Sequence, residues 1–371
     1  MKRYYLGLNA NGPSIKEGFS RGNSRDLRKL SDFLAKKYEG TCYLTKNGRS
    51  ALCIALQSYF ESGDKIIVNA FTCYAVYEAV VEAGLVPVFA DIDEKTLNFN
   101  EKTLNVFWEG AAIHANRIKG IIVQNSLGNP VDIEKIEKFA KKRGLTIIED
   151  LAHSAGIRYP DGREAGTVGV AAVLSFGKDK CINSISGGAV IFRETPVHEV
   201  EAPVKPPKLS DHLRARFYPL FTAQCKKLNA IHLGGVMMRV LIKLHFVERS
   251  ADNKLDVSRR LSEFEAKLAL RQLRSFRHRG EGKLRDFYFV KNRAEVLSKL
   301  RKNGYFFDAF WYEKPVSPER YYQKIKFPEK TCPNAVKITK EIINFPLYYS
   351  PEELAPAKEI IKPYLSGRGY D

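Results

Sequence analysis

The stretch Ser175-Phe176-Gly177-Lys178-Asp179-Lys180-Cys181-Ile182-Asn183-Ser184-Ile185-Ser186-Gly187-Gly188 sets two lysines among small and hydroxyl-bearing residues. It joins apolar runs at 170–176 and 189–192 that read as strands, so it is a connection, and connections carry chemistry more often than strands do. Small side chains let backbone approach a bulky anionic group while an amine reaches into the same pocket. The bland alternative is a solvated turn kept soluble by its lysines. Upstream, Tyr43-Leu44-Thr45-Lys46-Asn47-Gly48-Arg49-Ser50 passes from apolar to polar and opens a helix through Ala51, Leu52, Ile54, Ala55 and Leu56. Gly and Ser ahead of a helix leave backbone N–H groups and the positive dipole end facing outward, a phosphate site in outline. Arg49 would add charge-assisted bonds, although a plain helix cap asks for the same residues. The third candidate is Asp150, closing the apolar run 145–148 after Glu149. Taken alone it is equally a capping carboxylate at a strand end.

These residues need elements to hold them. Residues 23–38 show a helical pattern with Leu27, Leu30, Phe33 and Leu34 on one face. Strand-like runs at 65–70, 86–90, 121–123 and 145–148 alternate with helices through Ala75, Val76, Ala79, Val80 and Val81 and over 132–143. Continuous apolar strands alternating with helices imply an α/β fold with a mostly parallel sheet covered on both faces. Ligands then bind at the carboxyl ends of its strands. Asn47, Phe71, Asn125, Asp150 and Lys180 all follow strand-like segments, and so converge on one edge.

Beyond residue 195 the alternation stops. Pro196, Pro203, Pro206 and Pro207 mark a linker, and helical segments follow at 211–227 and 228–246. The second is uncharged only over 228–238, short of the roughly 20 residues a bilayer span needs. As basic amphipathic helices, residues 211–247 suit peripheral contact with an anionic membrane surface, or packing on their own protein or a second subunit. From Ser258 the pattern is helical again through Leu261, Phe264, Leu268 and Leu270, with a further helix expected at 286–303, strands at 305–311 and 342–346, and a closing helix at 351–365. The chain therefore divides into a large domain at 1–195, a helical basic insert at 196–256 and a smaller α+β domain at 257–371.

Bulk composition narrows the function. Sixty Lys and Arg against 42 Asp and Glu give a formal charge of +18 over 371 residues, favouring anionic partners. No recognition-helix motif or aromatic-basic interleaving points to nucleic acid. Cys42, Cys53, Cys73, Cys181, Cys225 and Cys332 are scattered, with no Cys-x-x-Cys pair and no His cluster at ligand spacing. That argues against a zinc site or disulfide framework and for a reducing compartment. The basic N-terminus lacks an apolar core of secretory length, so a cytoplasmic protein is expected.

An acid ending a buried strand, a lysine in a small-residue loop further on and a Gly-Arg-Ser helix start together suit pyridoxal 5'-phosphate. That coenzyme needs an amine to form a Schiff base, a carboxylate for its ring nitrogen and donors for its phosphate. At this point the sequence resembles the DegT/DnrJ/EryC1/StrS sugar aminotransferases, which have the fold type I of the aspartate aminotransferase superfamily. The resemblance covers about 45–192, resumes over 258–273 and reappears faintly at 332–349. Asn47-Gly48-Arg49-Ser50-Ala51-Leu52 looks like the family's phosphate-binding turn, and Glu149-Asp150-Leu151-Ala152-His153 like its Glu-Asp-x-Ala-(Gln/His) segment. The resemblance implies Asp150 on the ring nitrogen and His153 near the ring hydroxyl. It also implies Ser175 on the phosphate, five residues before the Schiff-base Lys180, a spacing that selects Lys180 over Lys178.

Two positions depart from the pattern. The aromatic residue that stacks on the coenzyme in many members aligns with Cys73, which leaves Phe71 or Tyr74 for that role. Ser258 stands where the family has an Asn reaching the neighbouring subunit's coenzyme, with Arg260 retained. The implied reaction transfers an amino group from an amino acid, glutamate in much of the family, through pyridoxamine phosphate to a keto-sugar, normally nucleotide-linked, in a homodimer. Dehydratase relatives replace the Schiff-base lysine with His, and Lys180 argues against that branch. Two other readings stay open: a transaminase for a membrane-presented or other non-nucleotide acceptor, and a non-catalytic regulatory protein on the same fold.

Overall fold

Asn23 accepts hydrogen bonds from the amides of Arg25 and Asp26 while Asp26 returns a carboxylate to the Asn23 amide, and this capping box starts helix α1 (Ser24–Tyr38). The computed structural model describes residues 4–5, 12–110, 117–231, 233–249, 252–276, 285–307, 312–346 and 349–367. After α1 the chain alternates: β1 (Thr41–Thr45), α2 (Gly48–Tyr59), β2 (Lys65–Asn69), α3 (Tyr74–Glu82), β3 (Val86–Ala90), α4 (Glu101–Gly110), β4 (Ile118–Gln124), α5 (Ile133–Arg143), β5 (Thr146–Asp150), β6 (Ala171–Ser175) and β7 (Gly188–Phe192). The seven strands make one sheet in the order β1-β7-β6-β5-β4-β2-β3. β7 is antiparallel to both neighbours, and the remaining pairs are parallel.

Side-chain alternation sorts the strands onto two cores. Ile67, Ile121, Val123, Ala172, Leu174 and Ile191 face one side, under α1 and α5. Ile66, Val68, Ile122, Ile148, Val173 and Val190 face the other, under α2 and α3. The fold is thus the α/β architecture expected, a mostly parallel sheet with helices on both faces. Registers Gln124↔Asp150, Asp150↔Val173 and Ser175↔Gly188 bring the carboxyl ends of β4, β5 and β6 together.

The insert contains α6 (Leu209–Leu228) and α7 (Gly234–Lys243). Ala215, Tyr218, Cys225, Leu241 and Val247 pack it onto Ile185, Phe264 and Leu268 of its own chain. Helix α8 (Glu263–Phe276), expected to open the last domain, instead sends Ala266, Ala269, Leu270 and Leu273 into the core shared with α1 and α5. The smaller unit is built from β8 (Asp286–Phe289), α9 (Arg293–Lys302), α10 (Pro333–Glu341), β9 (Ile342–Phe345) and α11 (Pro351–Ile361), with β8 antiparallel to β9.

The helix expected across 286–303 is therefore a strand followed by a helix. Phe287 and Phe289 alternate inward against Ala335 and Ile338, and pairing with β9 outweighs the local pattern. Of the strand expected at 305–311, residues 305–306 are extended, and 308–311 lie outside the described residues, as do 1–3 and 6–9 of the basic N-terminus. No described helix is long and apolar enough to cross a membrane.

Candidate active site

Asn47 begins α2 by accepting the Ser50 amide at 2.8 Å, and the first turn of the helix then runs against the end of β6. A Cβ on Gly48 would lie 2.6 Å from the Ser175 Cβ and 2.9 Å from its Oγ, so only glycine lets the two come this close. Helix N-terminus and Ser175 hydroxyl form one wall of a cavity of about 720 Å³. Asp150, His153, Lys178 and Lys180 line the same cavity, as do Arg49 and Cys73.

Asp150 is held on both oxygens. Oδ1 accepts the Ala152 amide at 3.0 Å and Oδ2 accepts the Gln124 side-chain amide at 3.0 Å, while the Thr72 hydroxyl donates to Gln124 at 2.8 Å. Burial pushes the carboxyl pKa up, and the Ala152 amide, the Lys180 charge and Gln124 pull against it. Lys180 follows β6 in a tight turn, its amide donating to the Gly177 carbonyl. Lys178 points its amine to the Glu248 carbonyl and over the Tyr218 ring at 4.8 Å, so the insert holds it. Burial lowers its pKa despite Asp179, Glu248 and Asp252.

His153 has a defined tautomer. The Leu127 amide donates to Nδ1 at 3.3 Å, so the neutral ring carries its proton on Nε2, which faces the Tyr312 hydroxyl at 3.5 Å. Burial, with the charges of Lys180 and Arg285, holds its pKa well below the usual imidazole value. The Tyr312 ring lies 6.1 Å from that of His153 at an interplanar angle of 22°, and 4.9 Å edge-on from Phe71.

Other expected residues lie off the cavity. Ser50 is buried, its Oγ accepting the Asp256 amide at 3.0 Å. Phe71 is fully buried behind Tyr312. Tyr74 stacks on Tyr321 at 4.3 Å. Asn125 accepts the Val131 amide at 3.0 Å and so braces the turn after β4. Ser258 donates to Asp256 at 2.8 Å. Arg49 lines the cavity, but its Nη1 donates to the Asn253 carbonyl at 2.6 Å and pairs with Glu78.

Sequence reasoning missed Gln124 and Tyr312. Gln124 was one residue from the Asn125 it selected and opposes Asp150 in the parallel register, whereas nothing in the sequence links Tyr312 to the cavity.

The donor set fits pyridoxal phosphate. A buried carboxylate, a lysine amine and a serine hydroxyl beside a helix N-terminus share one cavity. Asp150 suits the ring nitrogen, Lys180 the aldehyde carbon, and Gly48 with Ser175 the phosphate. Among the described residues no His, Cys, Asp and Glu cluster offers a metal site.

Comparison with known proteins agrees. A pleiotropic regulatory protein of Geobacillus stearothermophilus is 26% identical over 308 residues, 81% of this chain and 78% of that protein. The UDP-2-acetamido-2-deoxy-3-oxo-D-glucuronate aminotransferase of Pseudomonas aeruginosa is 34% identical over 165 residues, 44% of this chain and 43% of that protein. The crystal structure of a DegT DnrJ EryC1 StrS aminotransferase from Brucella abortus superposes with a TM-score of 0.66 at 20% identity, covering 95% of this chain and 93% of that one. The model of the DegT/DnrJ/EryC1/StrS aminotransferase family matches residues 27–361. With its sheet, its coenzyme-fitting cavity and a match over nearly its whole length, the chain belongs to the DegT/DnrJ/EryC1/StrS family as a pyridoxal phosphate-dependent aminotransferase.

Proposed function

We propose that the protein transfers an amino group from an amino acid, glutamate first among candidates, to a keto-sugar carried on a nucleoside diphosphate. The observation that carries the reading is the shared cavity of Lys180 and Asp150, walled by the start of α2 against Ser175. When bound, the coenzyme supplies an electron sink next to the amino acid's α-carbon. Lys180 Nζ removes the proton from that carbon and returns it during transfer. Asp150, kept in place by Gln124 and the Ala152 amide, holds the proton on the ring nitrogen. His153, whose Nε2 faces the Tyr312 hydroxyl here, would offer its Nε2–H to the coenzyme's ring oxygen. Asp150 and His153 are buried, which keeps water from their contacts with the ring.

The formal charge of +18 suits a diphosphate acceptor, and the Pseudomonas relative is by name an aminotransferase of a UDP-linked oxo-sugar. Lysine at position 180 argues against a dehydratase. A cytoplasmic homodimer accompanies the proposal, and its mass by light scattering tests it.

The decisive experiment incubates the protein with pyridoxal phosphate, glutamate and a panel of keto-sugar nucleotides, read by mass. An aminated sugar is expected with the parent and none with a folded Lys180→Ala protein; equal turnover by that variant overturns the reading. The regulatory alternative draws on the name of the Geobacillus relative. A coenzyme absorbance band bleached by borohydride excludes it, and absence of that band installs it.

A further inference from the structure

The insert packs on its own protein through one face and leaves another open. Val236 and Val240 on α7 and Leu244 at its C-cap recur every fourth residue with 45%, 49% and 58% of their surface exposed. On α6, Leu209, Leu213 and Phe217 repeat the spacing, and all are exposed. Phe221 links the α6 stripe to the half-exposed Phe246 just past α7, its ring 6.2 Å from Phe217 and 5.9 Å from Phe246. Phe246 also lines the catalytic cavity, so the apolar face continues to its rim. An ordered apolar stripe of this kind marks a surface that something covers.

Charge decides what covers it. Among the described residues of 205–249, every exposed charged side chain is a lysine or arginine. The acids of this stretch, Asp211 and Glu248, are only partly exposed, and Asp211 is paired with Lys46. Arg239 and Lys243 each stand three residues after a stripe residue, so their stems lie beside it while the charged heads reach past. A two-fold dimer through this face would set the cationic patch against its own copy, with no exposed acid among the described residues of 205–249 to meet it. Apolar anchors flanked by cations match instead the boundary between acyl chains and anionic headgroups.

We propose that the α6–α7 face docks the protein on an anionic lipid surface, with the cavity rim at Phe246 beside it. The docking is independent of the reaction assigned above.

Flotation of the full chain with phosphatidylcholine vesicles, with and without phosphatidylglycerol, tests it. Co-flotation is expected only with the anionic vesicles, weakening as salt is raised. The double variant Arg239→Gln/Lys243→Gln should weaken partitioning about 25-fold, at roughly fivefold for each cation near such a surface. Val240→Glu/Leu244→Glu should abolish flotation while the coenzyme absorbance band and the solution mass stay those of the parent. Failure to float with anionic vesicles at low salt, or flotation of the glutamate variant equal to the parent's, overturns the proposal. A fall in solution mass in the glutamate variant also overturns it, because a second copy would then be the occupant.

Discussion

Replacing His153 tests the tautomer that the structure assigns. The Leu127 amide can only donate, so Nδ1 accepts and the one proton of the neutral ring sits on Nε2. His153→Gln retains an N–H donor, as the family pattern of Gln or His at this position allows, whereas His153→Ala removes the donor and leaves the buried Leu127 amide unpaired. In the alanine variant the Leu127 amide is unpaired in the free and bound protein alike and costs fold stability, whereas the coenzyme's ring oxygen loses its donor only when bound, and an unsatisfied buried acceptor costs about 1–3 kcal/mol. At about 1.4 kcal/mol per tenfold, that is a rise of roughly five- to 150-fold in the coenzyme dissociation constant for the alanine variant. The glutamine variant should stay within roughly fivefold of the parent.

The same geometry fixes a pH behaviour. Burial holds the His153 pKa below its usual value, so the neutral ring contributes stability that is complete above the unfolded value of about 6.5 and is lost as pH falls below it. In the folded enzyme kcat should show no step near pH 6.5. Equilibrium dialysis of the coenzyme and a pH–rate profile read both effects. Equal losses in the two variants, or a step near pH 6.5 that disappears in His153→Gln, would refute the reasoning.

Glu265 is fully buried, and burial with Asp211 pushes its pKa from 4.5 to about 7 against the pull of Ser262 and Lys46. The folded state favours its protonated form, so its contribution is complete below about pH 4.5 and lost as pH rises through about 7. Glu265→Gln should therefore gain up to about 3 kcal/mol over the parent at pH 8 and little at pH 4.5; parallel urea-denaturation curves at all pH values would count against this. Gly48→Ala drives a methyl into Ser175 and should cost about 1–3 kcal/mol by thermal melting while loosening coenzyme binding. An unchanged melt would mean that α2 moves freely against β6. Gln124→Leu removes a donor to the ionised Asp150, raising that carboxyl's pKa further, so coenzyme binding should fail at a higher pH than in the parent. Dialysis across pH decides it, and an unshifted midpoint would remove Gln124 from the account.

The sheet and the groups at its carboxyl edge were legible because β2, β4, β5 and β6 are nearly continuous apolar runs, each closed by a polar residue. Asp150 could be placed at that edge for this reason, whereas the phosphate role of Ser175 came from its spacing to Lys180 in the family resemblance. Local pattern failed where a distant partner decided the outcome. Residues 286–289 carry helix-compatible residues on either side, and only β9, more than fifty residues later, makes them a strand. Helix α8 looked like the start of a new domain because the insert precedes it, yet its apolar face completes the core of the first. Ser50 and Asn125 have the residue types of ligand contacts, but the backbone amides of Asp256 and Val131 claim their oxygens.

Cys73 presents no ring where an aromatic was expected, and the structure brings one from the other end of the chain. Tyr312 enters the cavity from the segment between α9 and α10 of the smaller unit and packs between Phe71 and His153. That segment is stitched to the large unit: Val316 and Ser317 pair in parallel with Thr72 and Cys73, and the Thr72 amide donates to the Pro315 carbonyl at 2.8 Å. Thr72 in turn donates its hydroxyl to Gln124, whose amide holds Asp150. A continuous path of hydrogen bonds therefore runs from the strand after Tyr312 to the carboxylate meant for the ring nitrogen. The smaller unit sets both the aromatic wall of the site and, through Thr72 and Gln124, the position of its acid, so the site is complete only when the two units are joined.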